Sequence, residues 1–347
     1  MRLASNRFAF LTAVLKAREA KGVDRDTLEE IILRAGSMAE AVDFMKDTDL
    51  GGFLAEYGAA SFDEMDDLLW KYLGRYFGRI RKLRPDPSVV RLIERYLHRY
   101  DVANIISALR AAVFQRPAHM IPVGTLFDQG LLNDLSRVQS PGEAVSVIVM
   151  GGMAEYAEPI RRTTEIDRRS LRQVEKGLDQ LYLQKLRETL QNMDDHEILL
   201  RAHGIILDYQ ILGMILRAAG SGAASAVDGG GAVSGGYLLT PDMVREFAGL
   251  KAAEIAAMLE ETPYHAMVQE IARQIEQQGA YVIDRIMDSD LIMRIRELLS
   301  PRPLSPCAVL WHLIFKEYEV RSVRVALKAM EDRLPPGEVK DYLVVGL

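Results

Sequence analysis

The chain has 347 residues, 49% apolar and 27% charged, which is the make-up of an ordinary soluble globular protein and admits two or three domain-sized cores of about 100 to 200 residues each. A net charge of −6 and an isoelectric point near 5.7 argue against nucleic acid, whose phosphates demand basic surface. The single cysteine, Cys307, excludes an internal disulfide and a thiolate zinc site and fits a reducing compartment, so a cytoplasmic protein is expected.

The opening MRLASNRFAFLTAVLKAREA sets a basic residue before an apolar run, as a signal peptide does. Lys16, Arg18 and Glu19 follow at once with no small-x-small cleavage pattern, so residues 1–21 are read as a first helix. Residues 24–45 then read as a short helical hairpin. A longer helix is expected from about Phe62 to Lys82, because acids (Asp63, Glu64, Asp66, Asp67) gather at its start and bases (Arg75, Arg79, Arg81, Lys82) at its end, complementing the helix dipole before Pro85 and Pro87 stop it.

Residues 100–112, YDVANIISALRAA, form the most informative helix, and their pattern returns as LDYQILGMILRAA at 207–219 and YEVRSVRVALKAM at 318–330. Aligned, the copies share an acid (Asp101, Asp208, Glu319), a leucine (Leu109, Leu216, Leu327) and a base (Arg110, Arg217, Lys328), at spacings of 107 and 111 residues. Counting from the acid, apolar residues fall at +1, +4 and +8, one stripe on one helix face. Acid and base are nine residues apart, so they project from nearly opposite sides and cannot pair within one helix. The second copy is apolar on every side, which argues for burial, whereas the third carries a basic face of Arg321, Arg324 and Lys328.

Each copy is preceded by a hairpin, at 24–45, 129–148 and 240–259, whose second helix carries Glu40, Glu143 or Glu254. Three modules of similar order result: 22–117, 124–220 and 236–335, the last followed by a C-terminal segment to residue 347. A period near 110 residues is domain-sized, and units of this size can close around an axis or run in a line. A further helix is expected over about 159–191, with Leu171, Val174, Leu178, Leu181 and Tyr182 as its buried stripe. The Gly/Ser/Ala-rich run at 220–236 reads as a flexible linker, assigned to 221–235. Strand signals are weak throughout, so the fold class is all-α. No segment is read as approaching the roughly 20 apolar residues of a membrane span, the strongest run being AVSVIVMGGMA at 144–154.

No catalytic constellation emerges. Neither a phosphate-binding GxxxxGK[ST] loop nor a GxSxG nucleophile motif occurs. His196 and His203 stand seven residues apart, roughly 10.5 Å along a helix, too far to share one metal ion. Cys307, between Pro306 and Ala308, reads as a small packed side chain. No cofactor is expected.

The repeated motif helix, FAFLTAVLKAR at 8–18, LDQLYLQKL at 178–186 and the closing run from Val309 through Pro335 and Pro336 together resemble the C subunit of the archaeal and bacterial V-type ATP synthase, equivalent to the d subunit of the eukaryotic V-ATPase. The resemblance covers essentially the whole chain, in order. It implies three similar helical domains arranged as a funnel around a pseudo-threefold axis. It further implies a non-catalytic place in the central stalk, peripheral on the cytoplasmic membrane face. The partners it implies are the proteolipid subunits of the membrane rotor ring on one side and the D and F shaft subunits on the other. Asp101, Asn104 and Arg110 match the family motif best. Asp208 and Arg217 keep its ends, with Ile211 where asparagine is usual, and Glu319, Arg321 and Lys328 match its C-terminal version. These positions, with Arg324, are the candidates for an axial socket that receives the shaft. A helical scaffold with unrelated partners is the competing reading, and an all-α enzyme with a concealed site is a third.

Overall fold

The computed structural model describes residues 2–58, 60–83, 85–163, 166–168, 170–221 and 236–344, and these are helical with no strand among them. In chain order the first helices are α1 (Arg2–Glu19), α2 (Arg25–Arg34), α3 (Met38–Phe44), α4 (Asp49–Ala55), α5 (Phe62–Lys82) and α6 (Pro87–Phe114). Four short ones follow: α7 (Thr125–Asp128), α8 (Leu132–Ser136), α9 (Pro141–Met150) and α10 (Glu158–Arg161). Then come α11 (Leu171–Gln191), α12 (His196–Ser221), α13 (Pro241–Phe247), α14 (Ala252–Met258), α15 (His265–Gln278), α16 (Tyr281–Leu299), α17 (Pro306–Glu331) and α18 (Pro336–Val339). The chain groups into two compact units, one of Met1–Gly22 with Gly36–Asp194, the other of Val23–Ala35 with Asp195–Leu347. Helix α2 therefore belongs to the second unit although its neighbours in sequence belong to the first.

Local signals account for most boundaries. Ser61 caps α5, and Asp63 and Glu64 in its first turn face Arg79, Arg81 and Lys82 in its last, so the expected bounds are met at both ends. The repeated glutamates are capping residues: Glu40 accepts the Gly36 amide at 2.7 Å, Glu143 that of Gln139 at 2.9 Å and Glu254 that of Lys251 at 2.7 Å. Ser37 and Ser140 complete the exchange at α3 and α9 by accepting the amides of Glu40 and Glu143.

The expected helix over 159–191 is interrupted. It begins only at Leu171, after a turn in which Asp167 accepts the Ser170 amide at 2.8 Å. That Asx turn offers the backbone an alternative to helix directly ahead of α11, the upstream α10 having already ended at Arg161. Within α11, Leu171, Val174 and Leu178 are buried and Leu181 and Tyr182 half-buried. They pack against Val102, Ile105 and Leu109 of α6 in the core of the first unit. Those three, with Tyr209, Leu212 and Leu216 on α12 and Val320, Val323 and Leu327 on α17, are all at most 3% exposed. Each such side chain contributes about 1.5–3 kcal/mol through burial, so the stripes anchor the three longest motif helices.

Two sequence expectations need correction here. Helix α12 is not buried on every side, because Met214 is 53% exposed and Arg217 reaches solvent. It also holds a window, within His196–Gly220, long and apolar enough to cross a membrane, which the run at 144–154 had overshadowed. Two thirds of that window is buried in the protein interior (67%), as a core helix would be. The linker expected at 221–235 lies, beyond residue 221, outside the described residues.

Candidate functional site

The three motif acids face inward and are fully buried. Asp101 accepts the amides of Thr125 and Leu126, both at 2.9 Å, at the start of α7. Asp208 accepts those of Leu238 at 2.8 Å and Leu239 at 3.3 Å just ahead of α13, and the Tyr264 hydroxyl at 2.7 Å. Glu319 accepts the amide of Val23 at 2.8 Å, ahead of α2, and pairs with the equally buried Lys316. Each acid thus tethers the segment that leads into a short helix. A buried carboxylate is tolerated there because amide donors replace the water it has lost.

Burial still weighs against ionisation. It pushes Asp101 up to about 7 despite the opposing amides of Leu126 and Thr125. It likewise raises Asp208, against the amide of Leu238 and the Tyr264 hydroxyl. Asn104, one turn beyond Asp101, donates to the Ile121 carbonyl at 2.9 Å and accepts the Ile121 amide at 2.7 Å, clamping the same incoming loop.

Glycines adjoining two of these tethers went unread in the sequence. Gly124 has φ +110°, and a Cβ there would lie 2.6 Å from an Asp101 oxygen; at Gly236 it would lie 2.2 Å from one of Asp208. The signal is a glycine one to three residues ahead of the tethered amides.

The basic column points outward. Arg110 makes a two-pronged contact with Glu175 of α11, at 2.7 and 2.8 Å, and Arg217 meets Asp284 of α16 at 2.6 Å. Lys328 meets Glu331 at 2.8 Å and Asp332 at 3.0 Å on its own helix end, and Arg321 meets Asp288 at 2.6 Å. Arg324 is half-buried. Among the residues expected at an axial socket, then, Asp101, Asn104, Asp208 and Glu319 are spent on their own backbone, while Arg110, Arg217, Arg321 and Lys328 reach the surface beside carboxylates of this chain.

Little else in the described residues resembles reactive chemistry. A cavity of about 380 Å³ in the first unit is lined by Arg91, Arg95, Lys185 and Glu188 among others. Arg95 is answered by Glu155 and Lys185 by Glu188, so its charge is largely balanced from within. His98, beside Arg95 and Tyr156, is held down to about 4 by burial and by the Arg95 charge, and is neutral at pH 7. No group of three or more metal-ligating side chains converges among the described residues. Cys307 is buried at the start of α17, and burial pushes its thiol up.

Comparison with known proteins gives this arrangement a family. Residues 11–342 match the ATP synthase (C/AC39) subunit family. The C subunit of the A-type ATP synthase of Methanocaldococcus jannaschii is 24% identical over 97% of this chain and 86% of its own length. The proteins of the same name from Pyrococcus horikoshii and Thermococcus kodakarensis are each 25% identical, over 97% of this chain and 90% of theirs. With a match that spans nearly the whole sequence, the chain belongs to the ATP synthase (C/AC39) subunit family.

Proposed function

We propose that this chain is a non-catalytic central-stalk component of a rotary V-type ATP synthase or ATPase, joining the membrane rotor ring to the D–F shaft and passing torque between ATP turnover and proton or sodium ion movement. The observation that carries the reading is the match, over 97% of this chain and 86–90% of theirs, to relatives named as the C subunit of A-type ATP synthases. Its partners are then the ring proteolipids and the D and F proteins of the shaft, and it sits on the cytoplasmic face, held to the membrane through the ring alone.

The physical requirements agree. A spacer under torque needs a body that deforms little, and close-packed helices with buried stripes supply one. The reading includes the three modules, 22–117, 124–220 and 236–335, about a pseudo-threefold axis. Its support is the recurring tether: module one's acid holds the lead-in to module two, that of two holds three, and that of three returns to Val23 in module one.

Reassembly of the complex with and without this chain tests the proposal. Omission should leave ATP hydrolysis by the soluble head while ATP-driven ion movement is lost. Ion pumping that persists at full rate without the chain would refute a coupling role.

A further inference from the structure

We propose that Val23–Ala35 is a two-state strap, a short helix docked within its own unit that opens as one local step while the rest of that unit stays folded. The backbone passes from one unit to the other at Gly22–Val23, at Ala35–Gly36 and at Asp194–Asp195. The strap makes two of these three crossings.

Helix α2 has ten residues, below the roughly 12–15 that an isolated helix needs to persist in water. Release from its seat on α17 therefore means melting. Its seat consists of Val23, Leu28 and Ile31, each at most 1% exposed, and of the Val23 amide on Glu319. Around the rim, Glu29 meets Lys340 at 2.6 Å and Arg25 at 3.1 Å, but partly exposed pairs of this kind hold weakly. Docked, α2 is a rod of about 15 Å. Melted, the thirteen residues of the strap can extend to about 45 Å.

The three tethers are not equal, and this singles out the strap as the one that opens. Asp101 and Asp208 each hold two amides, 24 to 31 residues away, so each closes a short loop. Glu319 holds a single amide 296 residues away. One hydrogen bond resists opening less than two. Elements of low local stability are where proteins open first.

Hydrogen–deuterium exchange on the full chain tests it. The Val23 amide and those of α2 should exchange together and at least tenfold faster than the amides of α17 and α6. Leu28→Ala with Ile31→Ala should speed α2 exchange a further tenfold or more while leaving α6 unchanged, and trypsin should then cut first after Arg25 and Arg34. Lys340→Ala, which removes the rim pair with Glu29 and leaves the buried Lys316–Glu319 pair intact, should speed the same amides alone, by a smaller factor. Exchange of α2 and α17 at one common rate, or variants that speed α2, α17 and α6 alike, would show that the strap opens only when the whole chain unfolds and would overturn the proposal.

Discussion

The Tyr264 hydroxyl donates to Asp208 at 2.7 Å, joining two buried side chains on α12 and at the start of α15. That bond, with the amides of Leu238 and Leu239, replaces the solvation the carboxylate loses on burial. A hydrogen bond to a charged group contributes about 1.5–3 kcal/mol, so Tyr264→Phe should lower the unfolding free energy by that amount. Tyr281→Phe, at an exposed tyrosine, should change it by less than about 0.5 kcal/mol. Urea titrations of both variants make the comparison. Equal values for the two would mean that the Asp208 contact carries no weight.

Asp101 should give the chain a stability component that falls with rising pH. Its folded carboxyl titrates at about 7, above the ordinary value of an unfolded aspartate near 3.9. Between those values the folded state keeps a proton that the unfolded chain has released. The contribution is therefore fully present below about pH 4 and is lost as pH rises to about 7, by up to about 1.4 kcal/mol per pH unit. Asp101→Asn removes the titration, so the parent's profile minus the variant's should slope downward across that window and flatten above it. Parallel profiles would show that the carboxyl is ionised throughout.

The glycines beside the acids should be intolerant of a methyl group. At Gly124 an alanine must adopt φ +110° and crowd the Asp101 carboxylate, two penalties of about 1–3 kcal/mol each. Gly236→Ala meets the crowding at Asp208 and should cost about 1–3 kcal/mol. Gly78, in the middle of α5 with open space around its Cβ direction, should instead gain up to about 1 kcal/mol as alanine. Thermal unfolding of the three variants should rank Gly78→Ala above the parent and Gly124→Ala lowest.

These relationships explain what the sequence could and could not disclose. The stripes Val102–Ile105–Leu109 and their counterparts were legible because helical periodicity acts between neighbours in sequence. Opposite placement of Asp101 and Arg110 was legible for the same reason. The acids' task was not, since their partners are backbone amides, which carry no side-chain identity, and in one case lie 296 residues away. The break before Leu171 was available as the Asp167–Ser170 turn but was outweighed by the apolar spacing beyond it. Partnering of the basic face was hidden as well: Arg321 meets Asp288 on a different helix, which no local pattern announces.

That basic face is the surface to test against the shaft. Lys328–Glu331 is an exposed pair that holds the fold by only about 0–1 kcal/mol, and Asp288, half-buried opposite Arg321, keeps the Tyr318 hydroxyl at 3.3 Å, so Arg321→Ala, Arg324→Ala and Lys328→Ala combined should leave most of the stability intact. If these residues meet an acidic surface of the D–F shaft, the loss should fall on encounter rather than on lifetime, since surface charges chiefly steer association. Binding of the triple variant to immobilised D–F should then show an association rate reduced about tenfold at low salt. The difference should shrink as ionic strength rises to 1 M, where screening acts over about 3 Å. Retention of the variant in a pull-down with an unchanged association rate would remove Arg321, Arg324 and Lys328 from the interface. The exposed bases Arg110 and Arg217, already paired with Glu175 and Asp284, would be the next positions to vary.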